Sequence, residues 1–202
     1  MCGITAYCGN GFALPFLMQG LSKLEYRGYD SAGVTTLEKD GLKTVKCKGR
    51  LKNLEEKLQD FKMEGHVGIG HTRWATHGIP SNLNSHPHTN DDETISLVHN
   101  GIIENYRELK EELIQKGYHF QSETDSEVVV HLLDDYYDGE CLDKLLLYLE
   151  NEDSDIVLTD YVEDWAPSCR LVPVLNYEHL QPGEQYNIED LCFEGYGFNR
   201  FG

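Results

Sequence analysis

Basic residues are scarce in this chain. Its 202 residues include 17 Lys and Arg against 35 Asp and Glu, a formal net charge of −18. A surface this acidic lacks the positive field that a phosphate backbone requires, which argues against nucleic acid as a partner. Long apolar runs are missing, and none reaches the length of a membrane-spanning helix. Residues 1–10 lack the basic n-region and apolar h-region of a signal peptide. The expectation is a soluble, cytoplasmic chain with no membrane partner. The six cysteines include no Cys-x-x-Cys pair, so free thiols in a reducing compartment are expected rather than a disulfide framework. There is no His-Glu-x-x-His, and His86-Pro87-His88 has no acidic partner at ligand spacing, so no metal is expected. No Gly-x-Gly-x-x-Gly or Walker loop supports a nucleotide, and no cofactor is expected.

What is present begins with Met1-Cys2-Gly3-Ile4. A small residue in second place favours removal of the initiator methionine. Cys2 would then carry a free α-amine beside its own thiol. An α-amine titrates near pKa 7.7–8.0, roughly, so part of it is a free base at neutral pH. Nucleophile and base on one residue is the N-terminal-nucleophile variant of the triad. The alternative is a small apolar residue opening a strand.

Leu14, Leu17, Met18, Leu21 and Leu24 recur at helical spacing, with Pro15 tolerated in a first turn. Residues 34–37 and 44–48 read as strands joined at Lys39-Asp40-Gly41. Leu51, Leu54, Leu58 and Phe61 predict an amphipathic helix, and residues 67–71 and 95–99 predict strands. Between those two strands a polar, proline-bearing loop is expected to about Glu93. Tyr106, Leu109, Leu113 and Ile114 predict a helix that stops at Gly117. Thr124-Asp125-Ser126-Glu127 reads as a capping box opening a further helix to about Asp135, and 142–149 as another. From Asn151 an acidic run follows, with short strands expected at 156–158 and 170–175 and a turn at Gln181-Pro182-Gly183. Helices mixed with hairpin-joined strands indicate an α+β fold.

Three polar clusters stand at predicted strand or helix ends. Arg73 offers a planar fork suited to a carboxylate, or else a surface ion pair. Asn100-Gly101 offers a side-chain amide and a backbone N–H to a developing oxyanion, or else a plain turn. Asp125 offers a counter-charge to an ammonium, or else a helix-end charge.

Taken together, Cys2-Gly3-Ile4, residues 27–33, Arg73-Trp74-Ala75-Thr76-His77-Gly78, His99-Asn100-Gly101 and Thr124-Asp125-Ser126-Glu127 resemble the class II glutamine amidotransferases. Their order is the family's and their spacing approximately so. Tyr26 and Tyr29, Ser85-His86-Pro87-His88 and Ile102-Ile103-Glu104-Asn105 are similar to the branch that delivers ammonia to a sugar phosphate. The resemblance covers roughly residues 2–149. It implies a four-layer α-β-β-α sandwich of the N-terminal-nucleophile hydrolase type, incomplete at its C-terminal end. It also implies a glutaminase domain over 1–149 and a divergent acidic tail over 150–202, partly packed on it. Cys2 would be the nucleophile, and Asn100 and Gly101 the oxyanion hole. Arg73 and Asp125 would hold the α-carboxylate and α-ammonium of L-glutamine, and Trp74, Thr76 and His77 would line the pocket. The ammonia would pass to a sugar-phosphate isomerase domain or subunit that this chain lacks. A non-catalytic glutamine-binding remnant is the alternative reading.

Overall fold

The computed structural model describes residues 2–75 and 78–136, together with the backbone of two strands at 158–159 and 170–175. The expected helix at 142–149, the turn at 181–183, and Thr76 and His77 lie outside the described residues.

Four antiparallel strands form the first sheet: β1 (Gly3–Cys8), β2 (Ser31–Glu38), β3 (Gly41–Lys48) and β4 (Val67–Arg73), in the order β1-β4-β2-β3. β2 and β3 form the expected hairpin: Glu38 pairs with Gly41 across Lys39-Asp40, and Gly41 takes φ 120. One face of this sheet carries α1 (Ala13–Leu24) and α2 (Leu51–Leu58). The i, i+4 spacing of Ala13, Leu17 and Leu21 buries one stripe of α1, and Leu51, Leu54 and Leu58 do the same for α2. They pack on Ala32, Val34, Val45 and Cys47. Each fully buried leucine contributes about 1.5–3 kcal/mol relative to an exposed one.

The second sheet contains β5 (His88–Thr89), β6 (Ile95–Asn100) and β9 (Arg170–Leu175), in the order β5-β6-β9. A separate pair joins β7 (Ile102–Ile103) to β8 (Leu158–Thr159). The outer face of β6 presents Ile95 and Leu97 to α3 (Tyr106–Lys116) and α4 (Glu127–Tyr136). Gly117, at φ 104, terminates α3 as expected. The inner face, one residue out of phase, presents Ser96 and Val98 to the first sheet. Val98 packs with Ile69, and Ser96 donates to Thr35 Oγ1 at 2.9 Å. The layers therefore run helix, sheet, sheet, helix, as the four-layer expectation has it.

The capping box differs from expectation. The Glu127 carboxylate accepts the N–H groups of Gln121 and Ser122, both at 2.7 Å, while the Thr124 N–H turns to Ser122 Oγ at 3.2 Å. The loop before α4 folds back on the helix further upstream than a capping box requires, and α4 begins at Glu127 itself. The predicted long loop also contains a strand, β5, which pairs with Ser96 and Leu97. Cys2, Cys8 and Cys47 are free thiols.

Between the sheets, the segment carrying His86 is seated against β2 at Gly33. A Cβ there would lie 2.2 Å from the His86 carbonyl oxygen and 2.7 Å from Lys46 Cβ. Gly33→Ala should therefore destabilise the fold by about 1–3 kcal/mol or more, as overpacking against backbone does. Urea denaturation measures it, and an unchanged midpoint would show that the His86 segment is not held there.

Candidate active site

Antiparallel pairing of β1 with β4 places Gly3 opposite Thr72. One residue further, Cys2 falls beside the end of β4. Its Sγ accepts the Trp74 N–H at 3.2 Å and lies 3.6 Å from the Trp74 carbonyl oxygen, to which the thiol donates. Burial pushes the Cys2 thiol above its ordinary value, partly offset by the Trp74 hydrogen bond. A thiol so placed stays protonated at neutral pH and needs a base before it can attack.

Asn100 ends β6 in the facing sheet. Its Nδ2 donates to the Cys2 carbonyl at 3.4 Å, and its Oδ1 lies 2.8 Å from His71 Nε2 on β4. Gly101 joins β6 to β7 directly beyond it. The two sheets thus bring Cys2 and Asn100 together, although 98 residues separate them.

Arg73 is the last residue of β4, with only 4% of its surface exposed. Its Nη2 donates to the Gly78 carbonyl at 3.2 Å. Asp125 is also buried, and its Oδ2 accepts the Ile103 N–H at 2.8 Å, two residues past Gly101. His99 Nδ1 lies 2.9 Å from Ser126 Oγ. Asn84 links the two regions: its Nδ2 donates to the Ile79 carbonyl and to Glu123 Oε2, and its Oδ1 accepts the Glu123 N–H at 2.9 Å. Trp74, 47% exposed, meets Tyr29 edge-on at 5.4 Å, and Arg50 lies over the other ring at 5.4 Å. Ser22, Glu25, Tyr26, Tyr29 and Arg50 line a surface cleft of about 400 Å³ next to it.

Asp30 carried no role in the sequence reading. Its Oδ2 accepts the Ala75 N–H, its Oδ1 accepts from Ser31 Oγ at 2.9 Å, and its N–H donates to the Arg73 carbonyl at 3.1 Å. It therefore holds the backbone of the Arg73 cluster. Gly28 lets that backbone approach, since a Cβ there would lie 2.7 Å from the Arg73 carbonyl carbon. The only hint in sequence was that Asp30 and Gly28 fall in one of the resembling motifs.

The histidines crowded in sequence also converge in space. His71 stacks on His86 at 4.3 Å, and His86 meets His88 edge-on at 4.5 Å. Among the described residues, no group of three or more His, Cys, Asp or Glu is arranged to hold a metal ion. Burial lowers His71 and His99 to about 4 and drives His86 and His88 well below the usual range. No helix among the described residues is long and apolar enough to cross a membrane.

A family model described as a glutamine amidotransferase domain matches residues 41–146. The chain is 62% identical over 146 residues to a glutamine–fructose-6-phosphate aminotransferase (isomerizing) of Clostridium tetani, covering 72% of this chain and 24% of that one. It spans about a quarter of the length of the curated relatives it matches. Among solved structures, the allosteric regulatory enzyme of purine biosynthesis superposes with a TM-score of 0.68 at 25% identity, over 87% of this chain and 36% of that one. A glutamine phosphoribosylpyrophosphate amidotransferase from B. subtilis, complexed with ADP and GMP, gives 0.67 at 24% identity, over 87% and 35%. The latter likeness is one of fold.

The buried neutral histidines imply a definite pH response. Their folded values lie below the ordinary 6.5, so the stability tied to them is complete above about pH 6.5. It is lost as pH falls toward about 4, because the unfolded chain takes up protons that the folded chain refuses. Urea midpoints should fall between pH 7 and pH 4.5, with a loss on the order of 3 kcal/mol or more. A flat profile over that window would contradict the neutral cluster.

Proposed function

Since the chain belongs to the glutamine amidotransferase domain family, we propose that it hydrolyses the side-chain amide of L-glutamine to glutamate and ammonia. One observation supports this reading: where β1 begins and β4 and β6 end, Cys2 is held at its thiol by the Trp74 N–H and at its carbonyl by the Asn100 side-chain amide. In this reading Met1 is removed and the freed α-amine of Cys2 takes the thiol proton. The thiolate adds to the amide carbon, and the Asn100 Nδ2–H and Gly101 N–H receive the oxyanion. The tetrahedral adduct expels ammonia, the proton returning to the leaving nitrogen, and leaves a thioester on Cys2. Water then attacks through a second oxyanion, and glutamate departs. Each oxyanion donor is worth about 2.7–4 kcal/mol of barrier.

Glutamine is a zwitterion at its α-carbon, so one fixed cation and one fixed anion orient it. Arg73 and Asp125 take these roles, with Trp74, Thr76 and His77 around the side chain. Holding the amide over the thiol contributes up to roughly 7–11 kcal/mol in the best-oriented systems. The glutaminase unit in this reading is 1–149, with 150–202 a divergent acidic tail partly packed on it. The relatives' name, glutamine–fructose-6-phosphate aminotransferase (isomerizing), supports a sugar-phosphate isomerase domain or subunit as the acceptor of the ammonia. Without that partner this chain would release ammonia to solvent.

Cys2→Ala should abolish glutamine-dependent ammonia release while the urea midpoint stays near that of the parent. An N-terminal extension should be equally inactive, and proteolytic exposure of Cys2 should restore turnover. Full turnover with the extension in place would remove the α-amine from the mechanism. Glutamine binding without ammonia release from the processed parent would instead identify a binding module.

Arg73→Lys replaces a bidentate fork by a point charge, and Asp125→Asn removes a counter-charge. Both should weaken glutamine binding, by about tenfold or more each. Isothermal titration with the Cys2→Ala protein reads the affinity directly, and unchanged affinity in both would move the pocket elsewhere.

A further inference from the structure

An oxyanion donor works only if the donor end of its amide faces the reacting atom. Asn100 can sit in its site in two orientations that differ by exchange of oxygen and nitrogen, with almost the same shape. In one, Nδ2–H faces Cys2. In the other, Oδ1 does, and a developing oxyanion would meet an acceptor. We infer that His71 is the positioning residue that selects between them, as the donor to Asn100 Oδ1. This inference rests on the glutaminase reading above.

The assignment follows from what each partner can do. The Cys2 carbonyl oxygen only accepts, so the Asn100 atom 3.4 Å from it must be the nitrogen. That leaves Oδ1, also only an acceptor, 2.8 Å from His71 Nε2. Nε2 must then carry the proton. His71 is a neutral ring at physiological pH, so one nitrogen donates and the other is bare. Nδ1 is then the bare one, with no hydrogen bond of ordinary geometry among the described residues, although the His99 backbone carbonyl also faces the ring. A chain of donors therefore runs one way across the two sheets, from His71 Nε2–H to Asn100 and from Asn100 Nδ2–H to Cys2.

Burial and stacking on a second ring oppose exchange of the ring's edges. His71 is fully buried on β4 and lies nearly parallel to His86, 4.3 Å apart with 22° between the planes. The His86 backbone is in turn seated on Gly33. An ordinary core histidine would need only to fill this space. A positioning histidine must also present a proton at Nε2, and the two roles separate experimentally.

Two variants of the full, processed chain test this. His71→Gln can still offer an N–H toward Asn100, whereas His71→Leu fills the space without a donor. His71→Leu should lower kcat for glutamine hydrolysis about 10²-fold, the low end for loss of an oxyanion donor. KM should stay within about threefold, because the α-carboxylate and α-ammonium contacts are untouched. His71→Gln should recover most of that loss. Parent-like kcat in His71→Leu, or equal losses in two folded variants, would overturn the inference. Nitrogen NMR of the histidine-labelled parent decides independently of turnover: Nε2 protonated and Nδ1 bare is the expected state, and the opposite tautomer refutes it. A parent that releases no ammonia would count against the glutaminase reading, while the tautomer would still decide the role of His71.

Discussion

The register between β1 and β4 is the constraint on which the site depends. Side chains alternate along a strand, so a slip of one residue would send each of them to the opposite face. With Gly3 opposite Thr72, β4 directs Ile69 and His71 toward the second sheet, and the end of the strand brings Trp74 to Cys2. The same strand pairs on its other side with β2, where Ser31 lies opposite Arg73 and Asp30 catches the chain just beyond. A central strand bonded on both edges is hard to slide.

The space between the sheets is unusually polar for a protein interior. Thr35, Thr44, Ser96 and the histidines occupy a layer in which Ile69 and Val98 form only a small apolar cluster. Polar groups without partners are costly to bury, about 1–3 kcal/mol each, so such a layer persists only where hydrogen bonds and ring stacking compensate. The two apolar cores lie instead on the outer faces, under α1 and α2 on one side and α3 and α4 on the other. Apolar packing is thus concentrated away from the candidate site. The middle layer trades hydrophobic packing for directional contacts that orient the site.

Much of this was legible because its signals are local. Helical spacing in α1 and α2, the Lys39-Asp40-Gly41 hairpin and the Gly117 stop each depend on neighbours a few residues apart, and all appear. Cys2, Arg73, Asn100, Gly101 and Asp125 were picked out as residue types at element ends, and the structure brings Cys2 and Asn100 into contact. What escaped depends on distant partners. Strand β5 is two residues long, too short for any periodicity, and exists because β6 pairs with it. Strand β7 needs Leu158 and Thr159, more than fifty residues downstream. His71 stands two residues before Arg73 in a predicted strand, and nothing local says that its ring meets Asn100. The Glu127 capping box is half right: the glutamate does fold back, but onto the N–H groups of Ser122 and Gln121, upstream of the Thr124 N-cap that the motif names.

Chain ends ordinarily fray, because ordering one residue costs about 1–2 kcal/mol of backbone entropy and few contacts are available to offset it. Here the second residue of the chain is gripped at both its side chain and its main chain, by Trp74 from one sheet and Asn100 from the other. That restraint is set during folding, before any ligand arrives. On the reading proposed above, a nucleophile left loose would have to be immobilised in each catalytic cycle, and the entropy would appear in the barrier. In this molecule the cost is borne once, by the fold.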